Sequence, residues 1–245
     1  TNTAIFNPPE PGVYDIKVNN QNLTINVKDA SAVSNSVIDH FEEILYEDQN
    51  RSLSDIYSGD LSSGFTRNQN TVQEGSYSLK VGDTSGNDSG AITDTDDLNQ
   101  LNQGESVEWY SRGESTGGVT RGPLAGFLFA VQSESGFSNI SCYGVNVRYR
   151  YNSLGITRFD SGSSQSLYNE NNGDTPLPSQ KWHKCRLDWE LNGDIRFRVY
   201  DSNDSNIFDK TVNDTTYTDG GIGWSHRSDD RNNSGAVWID NARIL

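Results

Sequence analysis

Residues 182–201 read WHKCRLDWELNGDIRFRVYD, and this stretch decides the fold because it predicts a β-hairpin with one apolar and one charged face. Apolar and charged residues alternate along both arms, and side chains two positions apart on a strand lie on the same side of its sheet. The apolar positions are Cys185, Leu187, Trp189 and Leu191 in the first arm and Ile195, Phe197 and Val199 in the second.

The register of this hairpin follows from the requirement that both apolar faces coincide, which needs a turn with an odd number of residues. The shortest such turn is residues 192–194. It pairs Leu191 with Ile195, Trp189 with Phe197, Leu187 with Val199, Glu190 with Arg196 and Asp188 with Arg198. A three-residue turn usually has its left-handed residue last, whereas Gly193 is in the middle of this one. The pattern therefore predicts the strands and leaves the turn type open.

The rest of the chain predicts an all-β protein. Strands are expected at 76–81, 90–93, 105–112, 126–132, 143–151, 156–160, 207–212, 222–227 and 236–245. Residues 37–42 fit a strand, and 37–50 fit a short helix equally well. Residues 46–76 are polar, with Tyr57 and Phe65 as expected apolar anchors. Many short strands without a repeat of fixed period predict an antiparallel β-sandwich of the jelly-roll type.

Residues 1–36 predict a separate arm, which leaves 37–245 for the sandwich. A Pro-rich lead precedes a β-hairpin at 13–27, and a polar linker follows it. A two-stranded hairpin is marginal in water, so its apolar face must be covered by the sandwich or by another subunit. The length of the linker and the semi-rigid lead favour another subunit. We therefore expect a homo-oligomer, or docking to a larger partner, through residues 1–30.

Charge and hydropathy exclude several classes of function. The chain carries 34 acidic and 19 basic residues, for a net charge of −15, which disfavours nucleic acid and anionic membranes as partners. No apolar run approaches the ~20 residues of a membrane span, so no membrane insertion is expected. A surplus of carboxylates is tolerated at very high salt, because salt screens the repulsion among them. This composition predicts a halophilic source, the alternative being an ordinary acidic secreted or virion protein.

The cysteines Cys142 and Cys185 both lie on predicted strands. They are interpreted as buried core thiols, and a disulfide between them requires that their strands be neighbours.

Several segments resemble the concanavalin A-like, laminin-G-like jelly-roll superfamily. They are EGSYSLKV (74–81), QKWHKCRLDWELNGDIRFRVYD (180–201), YTDGGIGW (217–224) and VWIDNARIL (237–245), and VIDHFEE (37–43) is similar to the opening strand of that superfamily. The resemblance covers residues 37–245 and implies two stacked antiparallel sheets. Members include lectins, carbohydrate-binding modules, glycosidases, lyases and virion adhesion domains, so the fold alone does not define the function.

Catalytic signatures are missing from the sequence. Glycan hydrolases of this superfamily carry a Glu-x-Asp-x-x-Glu motif, and the nearest approach here is Asp188 and Glu190. The predicted register pairs both with arginines, which lowers a carboxyl pKa and makes a poor general acid. The histidines His40, His183 and His226 are scattered, without a triad context. We therefore expect a protein that is not an enzyme.

Binding residues are predicted on the polar faces of strands. The paired N–H groups of an Arg guanidinium, together with the faces of aromatic rings, are suited to binding sugar hydroxyls and acidic sugars. The candidate ligand-binding residues are Asn146, Arg148, Arg150, Tyr200, Trp224 and His226, with Arg186, Arg196 and Arg198 beside them on one sheet face. The alternative is a solvated sheet face neutralised by its own carboxylates.

One carboxylate, Asp240, falls on the apolar face of strand 236–245 and needs a partner. The resemblance implies a structural calcium ion between Glu42 on the opening strand and Asp240 on the closing strand. The alternative is that Asp240 accepts backbone N–H groups at a strand bend.

These observations lead to a functional expectation. We expect a non-enzymatic virion structural or receptor-contacting protein of a tailed virus of halophiles, on the virion surface or extracellular. Its partners would be a glycan or host-surface receptor and other virion proteins. The absence of a visible signal peptide favours a virion part, which is released by lysis. The alternatives are a secreted carbohydrate-binding module and a diverged glycan hydrolase or lyase.

Overall fold

The computed structural model describes the backbone of residues 12–18 and 21–27 and most of the chain from 53 onward. The latter ranges are 53–55, 57–62, 64–75, 77–82, 89–94, 100–114, 124–132, 136–149, 153–170, 175, 177–227 and 235–245. The chain forms two compact units, residues 1–36 with Leu245, and residues 37–244.

The first unit contains the predicted hairpin. Strand β1 (Gly12–Val18) pairs antiparallel with β2 (Gln21–Val27). Their pairing extends to Val18 opposite Gln21, which is closer to the turn than the sequence pattern indicated.

The second unit is a sandwich of two seven-stranded antiparallel sheets, which confirms the predicted fold class. The first sheet runs, in spatial order, β11 (Ser163–Asn169), β10 (Ser153–Asp160), β9 (Cys142–Arg148), β8 (Leu124–Val131), β15 (Gly221–Arg227), β6 (Ser89–Asp94) and β3 (Tyr57–Gly59). The second runs β14 (Asn206–Asn213), β13 (Asp194–Tyr200), β12 (His183–Trp189), β7 (Ser106–Gly113), β16 (Ala236–Ile244), β5 (Ser78–Gly82) and β4 (Phe65–Asn68). A single 3-10 turn, Leu53–Asp55, is the one helical element in the described part of the chain. Residues 37–42, which fit a strand or part of a short helix in the sequence, lie outside the described residues.

The core lies between the two sheets and is rich in aromatic rings. Trp109 of β7 packs against Phe127 of β8 with ring centroids 5.2 Å apart, and against Phe197 of β13 at 6.0 Å. The two expected anchors, Tyr57 and Phe65, are both buried. Large aromatic side chains contributed by both sheets stabilise the stacking, since each removes a large apolar area from water.

The central hairpin β12–β13 has the predicted faces but not the predicted partners. Trp189 is opposite Ile195 and Leu187 is opposite Phe197, an offset of two residues from the expected register. An offset of two leaves every side chain on its face. The predicted pairs of Leu191 with Ile195 and of Trp189 with Phe197 are therefore wrong, although both arms bury their apolar sides.

Turn geometry explains this offset. The turn is residues 191–193, closed by hydrogen bonds from the Glu190 N–H to the Asp194 carbonyl (2.8 Å) and from the Gly193 N–H to the Glu190 carbonyl (3.0 Å). Gly193 has φ +83° and takes the last position of the turn, where a left-handed residue is preferred. The chain thus adopts the usual three-residue loop, and Leu191 is 79% exposed at its tip.

The charged face of the hairpin confirms one predicted ion pair. Asp188 binds the guanidinium group of Arg198, although the two lie diagonally across the strands. The predicted pair of Glu190 with Arg196 is wrong, because Arg196 forms a fork with Asp209 of β14.

The two cysteines are free and buried in opposite sheets, Cys142 on β9 and Cys185 on β12. Their strands are not neighbours, so the disulfide alternative is wrong. Cys185 belongs to the core between the sheets, and Cys142 to a smaller apolar cluster that includes Leu128 and Phe159. Within the described ranges, no helix is long and apolar enough to cross a membrane.

Candidate functional site

The predicted binding residues do not share one surface. Val145 and Val147 of β9 are buried in the core, so Asn146 and Arg148 face outward from the first sheet. Tyr200 faces outward from the second sheet. A two-layer sandwich separates these two outer faces, and the predicted single binding face is therefore split. Arg150 lies outside the described residues.

Two other predicted binding residues, Trp224 and His226, are inside the protein, each 1% exposed. Trp224 packs edge-on against Phe127 at 5.1 Å, and His226 against Phe65 at 5.1 Å. Strand β15 runs between β8 and β6 in the first sheet and directs these alternate side chains into the core. An accessible binding role for these two residues is excluded by their burial.

The outer face of the second sheet gathers most of the remaining candidates, and we call it the second-sheet face. Its outward residues are Lys80 on β5; Glu108, Tyr110 and Arg112 on β7; Lys184, Arg186 and Asp188 on β12; Asp194, Arg196, Arg198 and Tyr200 on β13; Asp209 and Thr211 on β14; and Trp238, Asp240 and Arg243 on β16. On β7, β12 and β13 these positions alternate with buried residues. Four members of the face, Glu108, Asp188, Trp238 and Asp240, are themselves largely buried by their neighbours.

A row of tyrosines and a lysine crosses the middle of the second-sheet face. Lys184 lies directly opposite Tyr200 on one side and Tyr110 on the other. Its ammonium nitrogen is 4.9 Å from the centroid of the Tyr200 ring and forms an ion pair with Asp204. Cation–π contact and cross-strand pairing hold these side chains in a fixed order across the three strands.

In the next row, the guanidinium groups of Arg186 and Arg198 both bind the carboxylate of Asp188. Asp188 accepts hydrogen bonds from Ser106 Oγ (2.7 Å), from Arg186 Nε (2.9 Å) and from Arg198. Burial raises the pKa of the Asp188 carboxyl, but these hydrogen bonds outweigh burial and hold the pKa below its ordinary value. Asp188 is therefore a carboxylate at neutral pH and cannot act as a general acid.

An indole occupies the end of the face toward β5. Trp238 is 6% exposed, and it lies between Lys80, whose ammonium is 6.0 Å from the ring centroid, and Arg112, whose guanidinium carbon is 5.9 Å away. Trp238 therefore belongs to this face and not to the core between the sheets.

A depression of about 590 Å³ lies at the opposite end of the face, beside the hairpin turn. Its lining residues are Glu190, Leu191, Asn192, Asp194, Arg196, Asp209 and Thr211. The Asn192 amide donates to Asp194 (3.0 Å), and the Asn213 amide donates to the other oxygen of Asp194 (2.8 Å). This end of the face is acidic and its polar groups hold one another in place.

The buried carboxylate of Asp240 has backbone partners. Its Oδ2 accepts the N–H groups of Gln73 (2.6 Å) and Glu74 (3.3 Å), and its Oδ1 accepts the N–H of Asn241 (2.8 Å). Glu42 lies outside the described residues. In the described ranges no group of three His, Cys, Asp or Glu residues could hold a metal ion, so the residues seen there do not fit a calcium site. The hydrogen-bonded alternative is the one that the structure shows for Asp240.

Sequence reasoning missed Tyr110, Arg112 and Lys184 as members of the face. Alternation along 105–112 and 182–189 marks them as outward-facing, but only the observed pairing of β7 with β12 brings them together.

No protein-family model matches the sequence, and no curated protein matches it. Solved structures do share the fold. They include a legume lectin-like domain from Entamoeba histolytica (8% identity, TM-score 0.57, 79% of this chain and 91% of that one) and lectin II from Ulex europaeus (10%, 0.54, 78% and 91%). A third is the exoplasmic/lumenal domain of VIP36 in its Ca2+/Man3GlcNAc-bound form (7%, 0.54, 77% and 82%). At these identities the likeness shows the fold alone, the antiparallel β-sandwich that these structures share and that the sequence predicted.

Proposed function

We propose that this protein binds glycans without cleaving them, and that it does so on the second-sheet face. The observation that carries the proposal is the row Tyr200–Lys184–Tyr110 beside the guanidinium groups of Arg186 and Arg198. Aromatic rings offer apolar surface to the C–H face of a sugar, and Arg and Lys donate hydrogen bonds to its oxygens. The same fold in known lectins supports this reading.

The state of the carboxylates on this face supports binding without turnover. Glycosidases need one carboxyl with a raised pKa as acid and a second as base or nucleophile. Asp188 is tied to Arg186 and Arg198, and Asp209 is tied to Arg196. The hydrogen bond from Arg196 lowers the pKa of Asp209 against the opposing effect of burial. Both groups are therefore permanent anions at neutral pH that neutralise arginines.

The setting that we propose for this binder is the virion surface of a tailed virus of halophiles, where it contacts a host glycan and other virion proteins. The net charge of −15 supports a high-salt setting, because repulsion among surface carboxylates is screened over ~3 Å at 1 M salt. The unfolding midpoint should then rise markedly between ~0.1 and ~2 M KCl, and a flat response would argue against this setting. A count of copies in purified particles tests the virion role.

A glycan array with the wild-type protein and two variants tests the binding proposal. Tyr200→Ala removes a ring from the second-sheet face, and Asn146→Ala changes the outer face of the first sheet as a matched control. We expect Tyr200→Ala to weaken binding about tenfold and Asn146→Ala to leave it within about twofold, since loss of one sugar-stacking ring costs ~1–2 kcal/mol. Assays for new reducing ends should stay negative. Loss of binding in Asn146→Ala alone would move the site to the first sheet.

A further inference from the structure

We propose that the second-sheet face is selective for anionic glycans, that is, for sugar chains that carry carboxylate groups. This inference rests on the proposed function and names the class of glycan for that face.

The balance of charge on the face supports it. Seven of the chain's 19 Lys and Arg residues point outward from this sheet: Lys80, Arg112, Lys184, Arg186, Arg196, Arg198 and Arg243. Five of its 34 acidic residues do so, and two more lie against the face: Asp204, which pairs with Lys184, and Glu190, which lines the depression beside the turn. The five are Glu108, Asp188, Asp194, Asp209 and Asp240. The whole face is therefore formally neutral on a chain of net charge −15, and away from the turn its six cations outnumber its four carboxylates, which leaves a local charge of +2 there. A surplus of cations on one surface of an acidic protein marks that surface as the place where an anion can approach.

Salt screening allows the local surplus of positive charge to attract an anion although the whole chain is acidic. At 0.15 M ionic strength the Debye length is ~8 Å, and at the ~1 M salt of the proposed setting it is ~3 Å, so an anion touching the face interacts mainly with the groups that it contacts. Carboxylates on the far side of the sandwich lie beyond either distance and act weakly. The same carboxylates repel an anion that approaches from another side, so the charge pattern also favours one orientation of approach.

The geometry around Asp188 leaves cationic groups available to a ligand. Arg186 and Arg198 share this single carboxylate, which leaves a local charge of +1. Arg186 uses its Nε for Asp188, and its side chain is 34% exposed. The two terminal nitrogens of a guanidinium group are the ones that form a fork with an incoming carboxylate. Arg112 adds a cation that has no carboxylate partner among the described residues.

The aromatic rows favour a sugar acid over nucleic acid. DNA carries one charge per ~1.7 Å, which a protein of net charge −15 repels strongly. A glycuronan carries one carboxylate per sugar ring, and the ring itself can pack on Tyr110 and Tyr200, which lie on either side of Lys184. The face thus alternates apolar rings with cations, and this pattern matches a chain that alternates C–H surfaces with carboxylates.

The acidic end of the face determines which way a bound glycan chain lies. Glu190, Asp194 and Asp209 line the depression beside the turn, and Arg196 there is already paired with Asp209. A carboxylate placed at this end would meet three others. The acidic sugars therefore bind toward Arg186 and Arg112, and only a neutral unit fits beside the turn.

Two probes of equal backbone test the inference by isothermal titration calorimetry: polygalacturonate, and the same polymer fully methyl-esterified. The titrations use the lowest KCl concentration at which circular dichroism shows the folded protein, followed by increasing KCl. We expect polygalacturonate to bind and the ester to bind at least about tenfold more weakly, because a charge-assisted hydrogen bond contributes ~1.5–3 kcal/mol. The affinity for polygalacturonate should fall as KCl rises.

Two variants that each remove one positive charge locate the effect. Arg186→Gln lies on the second-sheet face, and Lys210→Gln lies off it, where its ammonium packs on Tyr168. We expect Arg186→Gln to weaken polygalacturonate binding about tenfold and Lys210→Gln to leave it within about twofold. Equal losses in both variants would overturn the inference.

Other outcomes distinguish a failure of selectivity for anionic glycans from a failure of glycan binding itself. Binding of the methyl ester with equal or higher affinity overturns the anionic class and leaves glycan binding standing. Failure of both polymers, together with an empty glycan array, overturns both. A DNA oligonucleotide that binds as tightly as polygalacturonate overturns selectivity for glycans and indicates a general anion surface.

Discussion

The carboxylate of Asp240 accepts the backbone N–H of Gln73 at 2.6 Å, and this hydrogen bond joins the last strand of the sandwich to the loop before β5. The side chain is 1% exposed, and two more backbone N–H groups donate to it. Asp240→Ala should therefore lower the free energy of unfolding by about 2–4 kcal/mol, because buried donors lose their acceptor. Urea denaturation measures the change.

A matched control and a chelator complete this test. Asp204→Ala removes a carboxylate that is 74% exposed and paired with Lys184, and it should cost at most ~1 kcal/mol. EDTA should leave the melting temperature of the wild type unchanged, since Asp240 has protein partners. A fall in melting temperature with EDTA that calcium reverses would restore the calcium site expected with Glu42.

A buried histidine predicts a dependence of stability on acid. His183 is fully buried with its Nδ1 3.4 Å from the hydroxyl of Tyr149. Burial lowers the His183 pKa, and a backbone hydrogen bond with Lys181 and the charge of Asp201 offset this only in part. In the unfolded chain the pKa returns to about 6.5. Below that pH the unfolded state binds a proton that the folded state does not, so stability falls.

The expected window runs from pH ~6.5 downward to the depressed pKa of the folded state. Across it the free energy of unfolding should fall by up to about 1.4 kcal/mol per pH unit, and above it His183 should contribute no slope. His183→Asn should lose this slope between pH 6.5 and 5, whatever its absolute stability. An NMR titration that places the His183 pKa at or above 6.5 would contradict the prediction.

Alternation in the sequence established the faces of strands and could not establish their partners. In β12–β13 it placed Trp189 and Phe197 correctly on the buried side, because parity alone decides the side. A register offset of two has the same parity, so the choice between Phe197 and Ile195 as the partner of Trp189 depended on the turn. The left-handed conformation of Gly193 favours the turn 191–193, and that turn pairs Trp189 with Ile195.

The candidate site was harder to predict for a related reason. Alternation showed that Asn146 and Tyr200 both face outward, but it carries no information on which sheet a strand joins. Long-range pairing puts β9 and β13 in different sheets, and the two side chains therefore face opposite sides of the sandwich. Trp224 was misplaced because a strand in the middle of a sheet sends its alternate residues into the core.

The turn offers a direct test of this register. Gly193 has φ +83°, and a Cβ there would lie 2.5 Å from Thr215 Cγ2 and 3.0 Å from the Asp214 carbonyl oxygen. Gly193→Ala should cost about 1–3 kcal/mol of unfolding free energy. Leu191→Ala, at the exposed tip of the same turn, should change it by less than ~0.5 kcal/mol. Equal effects of the two substitutions would mean that the turn has another conformation.

Both thiols should be unreactive in the folded protein. Cys142 and Cys185 are fully buried, and burial raises the pKa of each thiol well above its ordinary value, so neither forms the reactive thiolate at neutral pH. Ellman's reagent should detect no thiol in the native state and two per chain in 6 M guanidinium chloride without reductant. Fewer than two in the denatured protein would reveal a disulfide.

The amino-terminal unit predicts an assembly role that deletion can test. Residues 1–36 form a compact unit separate from residues 37–244, and the hairpin within it has only two strands. Its register places Tyr14 opposite Ile25 and Ile16 opposite Leu23, a set of apolar pairs that two strands alone cannot bury. Another subunit would supply the missing cover. Light scattering should therefore show an oligomer for the intact chain and a monomer after deletion of residues 1–30, with the circular dichroism of the sandwich retained. An intact chain that is already a monomer, together with a sandwich that unfolds on deletion, would instead assign the hairpin to the protein's own core.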